Sequence, residues 1–180
     1  MKILLIGPQG SGKSTQGQLL ADYLRIPYIS TGDIFREKLL QDTAEGRQIK
    51  QTLDKGQLVD DQTTKTLITD RLQRTDAQNG YILDGYPRTS EQVDLFTTSN
   101  FKPDWIVYLK IPDDIAIKRL IRRGRADDTP ELIKTRLQLY KDKTAALLGL
   151  LKGYGHIVEI NGEGAIEEVQ QRMRDALNGQ

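Results

Sequence analysis

No cysteine occurs among the 180 residues. Its absence excludes disulfides and thiolate sites for zinc or iron–sulfur clusters. Excess charge of either sign is also missing: 26 Lys and Arg face 25 Asp and Glu, a net charge of +1. So even a balance argues against a chain that works on nucleic acid or on an anionic lipid surface. Long apolar runs are missing too, and nothing spans a bilayer. The opening apolar block, residues 1–7, is too short for a signal peptide and lacks a small-residue cleavage site. These absences lead to the expectation of a soluble cytoplasmic protein. What is present suits one globular domain. A chain of this length buries most of its surface without a covalent staple, and 28% charged residues give it a well-solvated exterior.

Five short runs are rich in Ile, Val, Leu or Tyr: residues 2–7 (KILLIG), 27–30 (PYIS), 81–84 (YILD), 105–111 (WIVYLKI) and 156–160 (HIVEI). Continuous rather than alternating apolarity suits strands buried on both faces of a parallel sheet. Between them lie stretches of helical spacing over 16–25, 60–75, 113–123, 128–151 and 164–177. Strand alternating with helix predicts a doubly wound α/β fold with a five-stranded parallel sheet. Residues 31–59 carry no strand signal and read as two short helices broken at Gly46 and Gly56. Residues 122–129 (RRGRADDT) read as a polar loop, basic then acidic. His156 and Trp105 each open a strand and suit structural positions better than chemical ones.

The first strand runs directly into Gly7-Pro8-Gln9-Gly10-Ser11-Gly12-Lys13-Ser14-Thr15, which fits G-x-x-x-x-G-K-[ST]. The spacing has a chemical reason. Glycines let the backbone curl so that successive N–H groups point at phosphate oxygens. The helix that follows presents its donors and the positive end of its dipole to the same anion. Lys13 supplies a mobile charge for the β and γ phosphates, and Ser14 a hydroxyl for Mg²⁺. Gly10, Ser11, Gly12, Lys13, Ser14 and Thr15 are therefore candidate binders of a nucleoside triphosphate. The motif alone does not name the reaction. An Asn-Lys-x-Asp signature for guanine is absent, which weighs against a GTPase, and the chain is short for a motor.

A second cluster follows the second and third strands: Ser30-Thr31-Gly32-Asp33-Ile34-Phe35-Arg36, and Asp84-Gly85-Tyr86-Pro87-Arg88-Thr89 with Gln92 a turn later. Ligands of doubly wound sheets sit at these strand ends. Asp84 suits the hydration shell of Mg²⁺, or more plainly a turn or helix cap. Asp33 suits the first turn of a helix. Arg88 beside a Gly-x-Pro turn suits a forked grip on phosphate. Gln92 donates and accepts at once, as the edge of adenine requires.

Taken together, GPQGSGKSTQ, STGDIFR, GQLVDD, YILDGYPRTSEQ and RADDTPELIKTRL resemble the adenylate kinases of the nucleoside monophosphate kinase family, in order and spacing. The resemblance covers essentially the whole chain. It implies Mg²⁺-dependent transfer of the terminal phosphoryl group of ATP to AMP, giving two ADP, by a monomer. It implies a single P-loop kinase domain over 1–180, with a mobile NMP-binding segment at 30–59 and a short LID at 122–128. It further implies that Thr31 and Gln92 read adenine and that Arg36 and Arg88 grip the monophosphate. Gly85, Tyr86 and Pro87 would line that pocket, and Gln57, Leu58 and Val59 would touch base and ribose. Arg119 would cover the ATP adenine, and Gly164 would contact its base through the backbone. Lys13, Arg88, Arg123, Arg125 and Arg136 would converge on the transferring group. Asp127 and Asp128 would hold the closed LID, and Asp84 with Ser14 would serve Mg²⁺ through water.

Departures from the family pattern are Gln9 for a frequent Pro, Ser14 for Gly, Tyr86 for Phe and Asp60 for Pro. Only a dozen residues separate Arg123 from Arg136, so the LID lacks the insertion that carries zinc in some relatives. Phosphoryl transfer needs in-line positioning and positive charge rather than a general base. Two rival readings are a sibling kinase for UMP, CMP or a deoxynucleoside monophosphate, and an ATP-binding regulator that has lost transfer. Thr31 with Gln92 favours adenine over the first, and the full set of arginines argues against the second.

Overall fold

In the computed structural model, residues 1–96, 101–125, 128–144 and 146–179 are described. Five parallel strands form one sheet in the order β2-β3-β1-β4-β5. They are β1 Lys2–Ile6, β2 Tyr28–Ser30, β3 Tyr81–Asp84, β4 Trp105–Lys110 and β5 His156–Asn161. Each lies within two residues of its expected run. The physical reason is burial: Ile3, Leu4, Ile82, Leu83, Ile106 and Val107 are fully inaccessible. One face of the sheet packs Leu4, Leu83 and Ile106 against Ile68, Leu72, Leu147 and Leu151. The other packs Ile3, Leu5, Ile82 and Val107 against Leu20, Val169 and Met173.

The helices are α1 Lys13–Leu24, α2 Thr31–Leu39, α3 Ala44–Asp54, α4 Asp61–Leu72, α5 Ser90–Val93, α6 Asp113–Arg123, α7 Pro130–Leu139, α8 Leu147–Leu151 and α9 Ile166–Asn178. Among the described residues no helix is long and apolar enough to cross a membrane. The chain leaves β1 toward β2 on one side of the sheet and reaches β4 on the other. Connections therefore diverge at β1, and the crevice this opens lies at the strand ends that carry residues 7–15 and 84–88.

Three expectations are corrected. The helix expected over 128–151 is two helices, α7 and α8, with a π-helical turn at Tyr140–Thr144. Such a turn takes up an extra residue and rotates the apolar face. Ile133 and Leu137 thus pack with Leu120 of α6, while Leu147 and Leu151 reach the main core. The loop expected from 122 begins only at Gly124, because Arg122 and Arg123 form the last turn of α6. Gly46 does not break the helical stretch over 31–59. The break lies at residues 40–43, and Gly46 sits in the first turn of α3, where its N–H caps onto Thr43 Oγ1 at 3.0 Å. Gly56 does follow the end of α3, as expected.

Two small clusters stand apart from the sheet. Phe35, Ile49, Val59 and Leu67 pack together beneath residues 31–59. Ile111, Ala116, Leu120, Ile133 and Leu137 pack beneath the turn between α6 and α7.

Gly46 owes its identity to close approach: a Cβ there stands 2.6 Å from Lys38 O and 2.8 Å from Gln41 O. Both are backbone atoms that cannot swing aside. Gly46→Ala is expected to destabilise the protein by about 1–3 kcal/mol. Gly149→Ala, whose Cβ meets nothing within 4 Å, is expected to be neutral or slightly stabilising. Thermal melting of the two variants checks this.

Candidate active site

The loop between β1 and α1 is shaped by its glycines and its neighbours. Gly12 precedes α1 in the left-handed region (φ 93°) and offers no side-chain cap to the helix. The first N–H groups of α1 have no carbonyl within the helix to bond, so they point out of its end. Gly10 is also left-handed (φ 81°), and a Cβ there would lie 2.6 Å from Ala116 O. Helix α6 therefore presses directly on the loop. Ser11 is buried, while Ser14 and Thr15 are exposed at the start of α1. The Lys13 ammonium folds back and donates to Gly7 O and Pro8 O, both at 2.8 Å. Burial pushes it down to about 8; Asp84 opposes that shift, and Arg88 and Arg123 add to it.

Asp84 ends β3 almost fully buried. Its Oδ2 accepts from the Tyr28 hydroxyl at 2.6 Å. Burial and the Asp84 charge push the Tyr28 hydroxyl far above its ordinary range, so it stays a donor. The second oxygen, Oδ1, is buried with no hydrogen-bond partner among the described residues. A carboxylate oxygen left this way needs a cation or bound water to offset its desolvation.

Residues 85–92 wrap the end of the same strand. Gly85 O accepts from Thr31 Oγ1 at 3.1 Å and from Arg88 Nε at 2.8 Å. Burial lowers the Arg88 guanidinium pKa; Asp84 opposes that and Arg136 adds to it. The Tyr86–Pro87 peptide is cis, and Tyr86 is fully buried with its hydroxyl donating to Gln92 O at 2.8 Å. The Gln92 amide is engaged at both ends. Its Oε1 accepts from Arg88 N at 2.7 Å, and its Nε2 donates to Asp61 Oδ1 at 2.7 Å.

The remaining candidates are spread around this centre. Arg119 Nη1 lies 3.9 Å from where a Cβ on Gly12 would stand, so its fork sits over the loop. Arg123 pairs with Asp128 through two bonds, Nε to Oδ2 at 2.8 Å and Nη2 to Oδ1 at 2.6 Å. Arg125 is exposed, and its backbone N–H donates to Asp128 Oδ2 at 3.2 Å. Arg36 pairs with Asp33 on the surface. Gln57 and Leu58 line a cleft of about 240 Å³ with Glu45, Ile49 and Thr63. Val59 packs its side chain into the small core beneath that cleft. Gly164 lies in the β5–α9 turn against Glu168 and Arg172. Asp127 lies outside the described residues.

Lys13 is thus brought within electrostatic reach of Asp84, Arg88 and Arg123, Arg88 within that of Asp84 and Arg136, and Asp128 within that of Arg123 and Arg136. Arg36, Arg125 and Gln57 remain at the rim. Two further contributors are revealed by the fold. Tyr28 carries no sequence signal beyond an apolar strand. Asp61 lies in the GQLVDD run, but only the fold reveals that it faces Gln92.

The Arg123 bonds hold the Asp128 carboxyl below its usual range, against the opposing effect of burial. A depressed folded value means stabilisation that is full above about 3.9, the ordinary Asp value, and is lost as the pH falls through the folded value. Asp128→Asn is therefore expected to melt below the wild type by a constant margin from pH 7 to about 5. That margin should shrink below about pH 4. Parallel melts across this range check the sign.

Comparison with known proteins gives a consistent result. A family profile described as adenylate kinase matches residues 5–155. The chain is 41% identical over 182 aligned positions to an adenylate kinase of Corynebacterium urealyticum, covering 99% of both chains. It is 41% identical over 181 positions to one of a Mycobacterium species, covering 98% of this chain and 99% of that one. Against one of Bifidobacterium longum the identity is 42% over 181 positions, covering 96% and 97%.

Proposed function

The chain belongs to the adenylate kinase family, and we propose that it transfers the terminal phosphoryl group of ATP to AMP, reversibly, giving two ADP. The observation that carries this is that Lys13 and Arg88, at the ends of β1 and β3, have Arg123 of α6 and Arg136 of α7 within electrostatic reach. Four like charges in a partly desolvated crevice repel one another. They hold there because Asp84 and Asp128 offset part of the repulsion. A bound polyphosphate would add further compensating charge, and its attraction to these cations grows as charge spreads over the transferring oxygens.

ATP rests its phosphates on the 7–15 loop, with Gly10, Ser11, Gly12 and the α1 N–H groups as donors. Lys13 swings from the carbonyls of Gly7 and Pro8 onto the β and γ oxygens. Arg119 covers the donor nucleotide beside Gly12, and Gly164 borders the same region. AMP lies on the opposite side, its phosphate between Arg36 and Arg88. Its base lies near Thr31 and Gln92, bordered by Gly85 and by the Gln57–Leu58–Val59 strip. Arg123, Arg125 and Arg136 approach the transferring group as the 122–128 turn closes and excludes water. The separate small core beneath residues 31–59 supports that segment moving as a unit.

Mg²⁺ fits this site. The orphaned Asp84 Oδ1 is the kind of oxygen that holds a water of its hydration shell, and the Ser14 hydroxyl stands exposed at the head of α1. When bound, the ion neutralises charge on the β and γ phosphates. No thiolate is present to hold zinc. The proposed reading includes a cytoplasmic monomer, as the family resemblance implies.

The direct test is to incubate the protein with Mg·ATP and each nucleoside monophosphate in turn, measuring diphosphate formation. AMP fastest supports the proposal. UMP or CMP fastest would support the sibling kinase, and no transfer to any acceptor the regulator. Arg88→Ala is expected to lower kcat by about 10²–10³-fold with the melting temperature little changed. Near-normal turnover would remove Arg88 from the cage.

Lys13 yields a further prediction. Free, its ammonium titrates at about 8 because burial disfavours the charge. Phosphate oxygens restore the charged form, so nucleotide binding at pH 8.5 is expected to take up roughly half to one proton. Calorimetry in buffers of different ionisation enthalpy measures this, and Lys13→Met should abolish it.

A further inference from the structure

Asp61 has no place in the chemistry above, yet it occupies a particular position. It opens α4, and its Oδ1 accepts two hydrogen bonds from the wall of the acceptor pocket. One comes from Thr89 Oγ1 at 2.9 Å, the other from Gln92 Nε2 at 2.7 Å. The opposite end of the Gln92 amide accepts from Arg88 N at 2.7 Å. A backbone N–H only donates and an ionised carboxylate only accepts, so the two contacts agree on a single orientation of the amide. One bond alone leaves the amide free to swing about its last torsion. Two bonds, one at each end, fix its plane and its sense.

We propose that Asp61 is a positioning residue that sets base selectivity by holding the Gln92 amide in one sense. The proposal rests on Gln92 meeting the acceptor base. Each amide atom keeps one bonding direction after these contacts: a second lone pair on Oε1 and a second hydrogen on Nε2. Such an edge accepts from an exocyclic amino group and donates to an adjacent ring nitrogen. Adenine and cytosine present that pair. Guanine and uracil present the reverse, a carbonyl oxygen beside a ring N–H. A carboxylate fixed behind the amide therefore excludes oxo bases by forbidding the flip that would admit them. A site built to pair a specific donor and acceptor discriminates strongly, because the wrong base leaves buried polar groups unpaired.

The test compares kcat/KM for AMP with that for UMP and GMP, at saturating Mg·ATP. It uses the wild type, Asp61→Ala, Asp61→Asn, Gln92→Ala and the Asp61→Ala/Gln92→Ala double variant. Asp61→Ala is expected to lower the AMP-to-UMP and AMP-to-GMP ratios by about tenfold, leaving the KM for ATP unchanged. Asp61→Asn keeps an acceptor oxygen and is expected to hold both ratios within about threefold of wild type. The double variant should match Gln92→Ala alone, since Asp61 acts through that amide. Should Asp61→Ala fail to fold, Asp61→Leu, which keeps the branch at Cγ but has no acceptor, takes its place. Unchanged ratios in the variant lacking the acceptor, or a double variant worse than Gln92→Ala, would overturn the proposal. A wild type that phosphorylates no monophosphate would overturn the functional reading beneath it, a separate and recognisable failure.

Discussion

The buried carboxylate of Asp84 is the charge on which the site depends. It ends the strand beside β1, is nearly inaccessible to water and has one oxygen held by Tyr28 and the other without a hydrogen-bond partner among the described residues. An ionised carboxylate in that setting is costly unless cations surround it. Lys13 and Arg88 feel its attraction, and each feels other cations pushing the opposite way. The centre is therefore a balance of partly desolvated charges of opposite sign. The chain's near-neutral total thus conceals cations concentrated in one crevice.

The sheet supplies the rigidity this balance requires. Strands β1, β3 and β4 are buried on both faces, so their ends are fixed points from which the 7–15 and 84–88 loops project. Helix α6 presses its backbone on Gly10, and Gly85 O ties Thr31 to Arg88. The segments proposed to move are built differently. Residues 31–59 share a cluster of four buried residues with α4, and α6 and α7, which flank 122–128, pack a cluster of five, both outside the main core. Burial on that scale holds a segment together without welding it to the sheet.

Much of this was legible in the residues. The phosphate loop announces itself because its chemistry needs small residues and a lysine at set positions. All five strands are legible because parallel strands must be apolar on both faces. Harder to read was anything that depends on rotation or partnership. The run 128–151 carries helical spacing throughout, but a π turn divides it, since two apolar groups must face different clusters. Gly46 looks like a breaker; its real constraint is two carbonyls, Lys38 O at the end of α2 and Gln41 O in the break that follows. Asp61 looks like a first-turn acid until α4 is seen against Gln92.

What the chain determined by itself is the chemistry available: a phosphate loop, a set of arginines, no thiol, and a strand–helix alternation with one natural way of folding. These follow from local composition and period, which do not need distant partners to be read. Tertiary structure decided which of those groups meet. Only the fold places Tyr28 on Asp84, Arg123 on Asp128 and Asp61 on Gln92, pairs separated by 56, 5 and 31 residues. The shortest of these depends on the chain turning back at Gly124, and the longer two on strand order and helix docking. Hydrogen bonds and charges act over a few ångströms, so their partners are set by how the chain returns on itself rather than by what stands beside them in sequence.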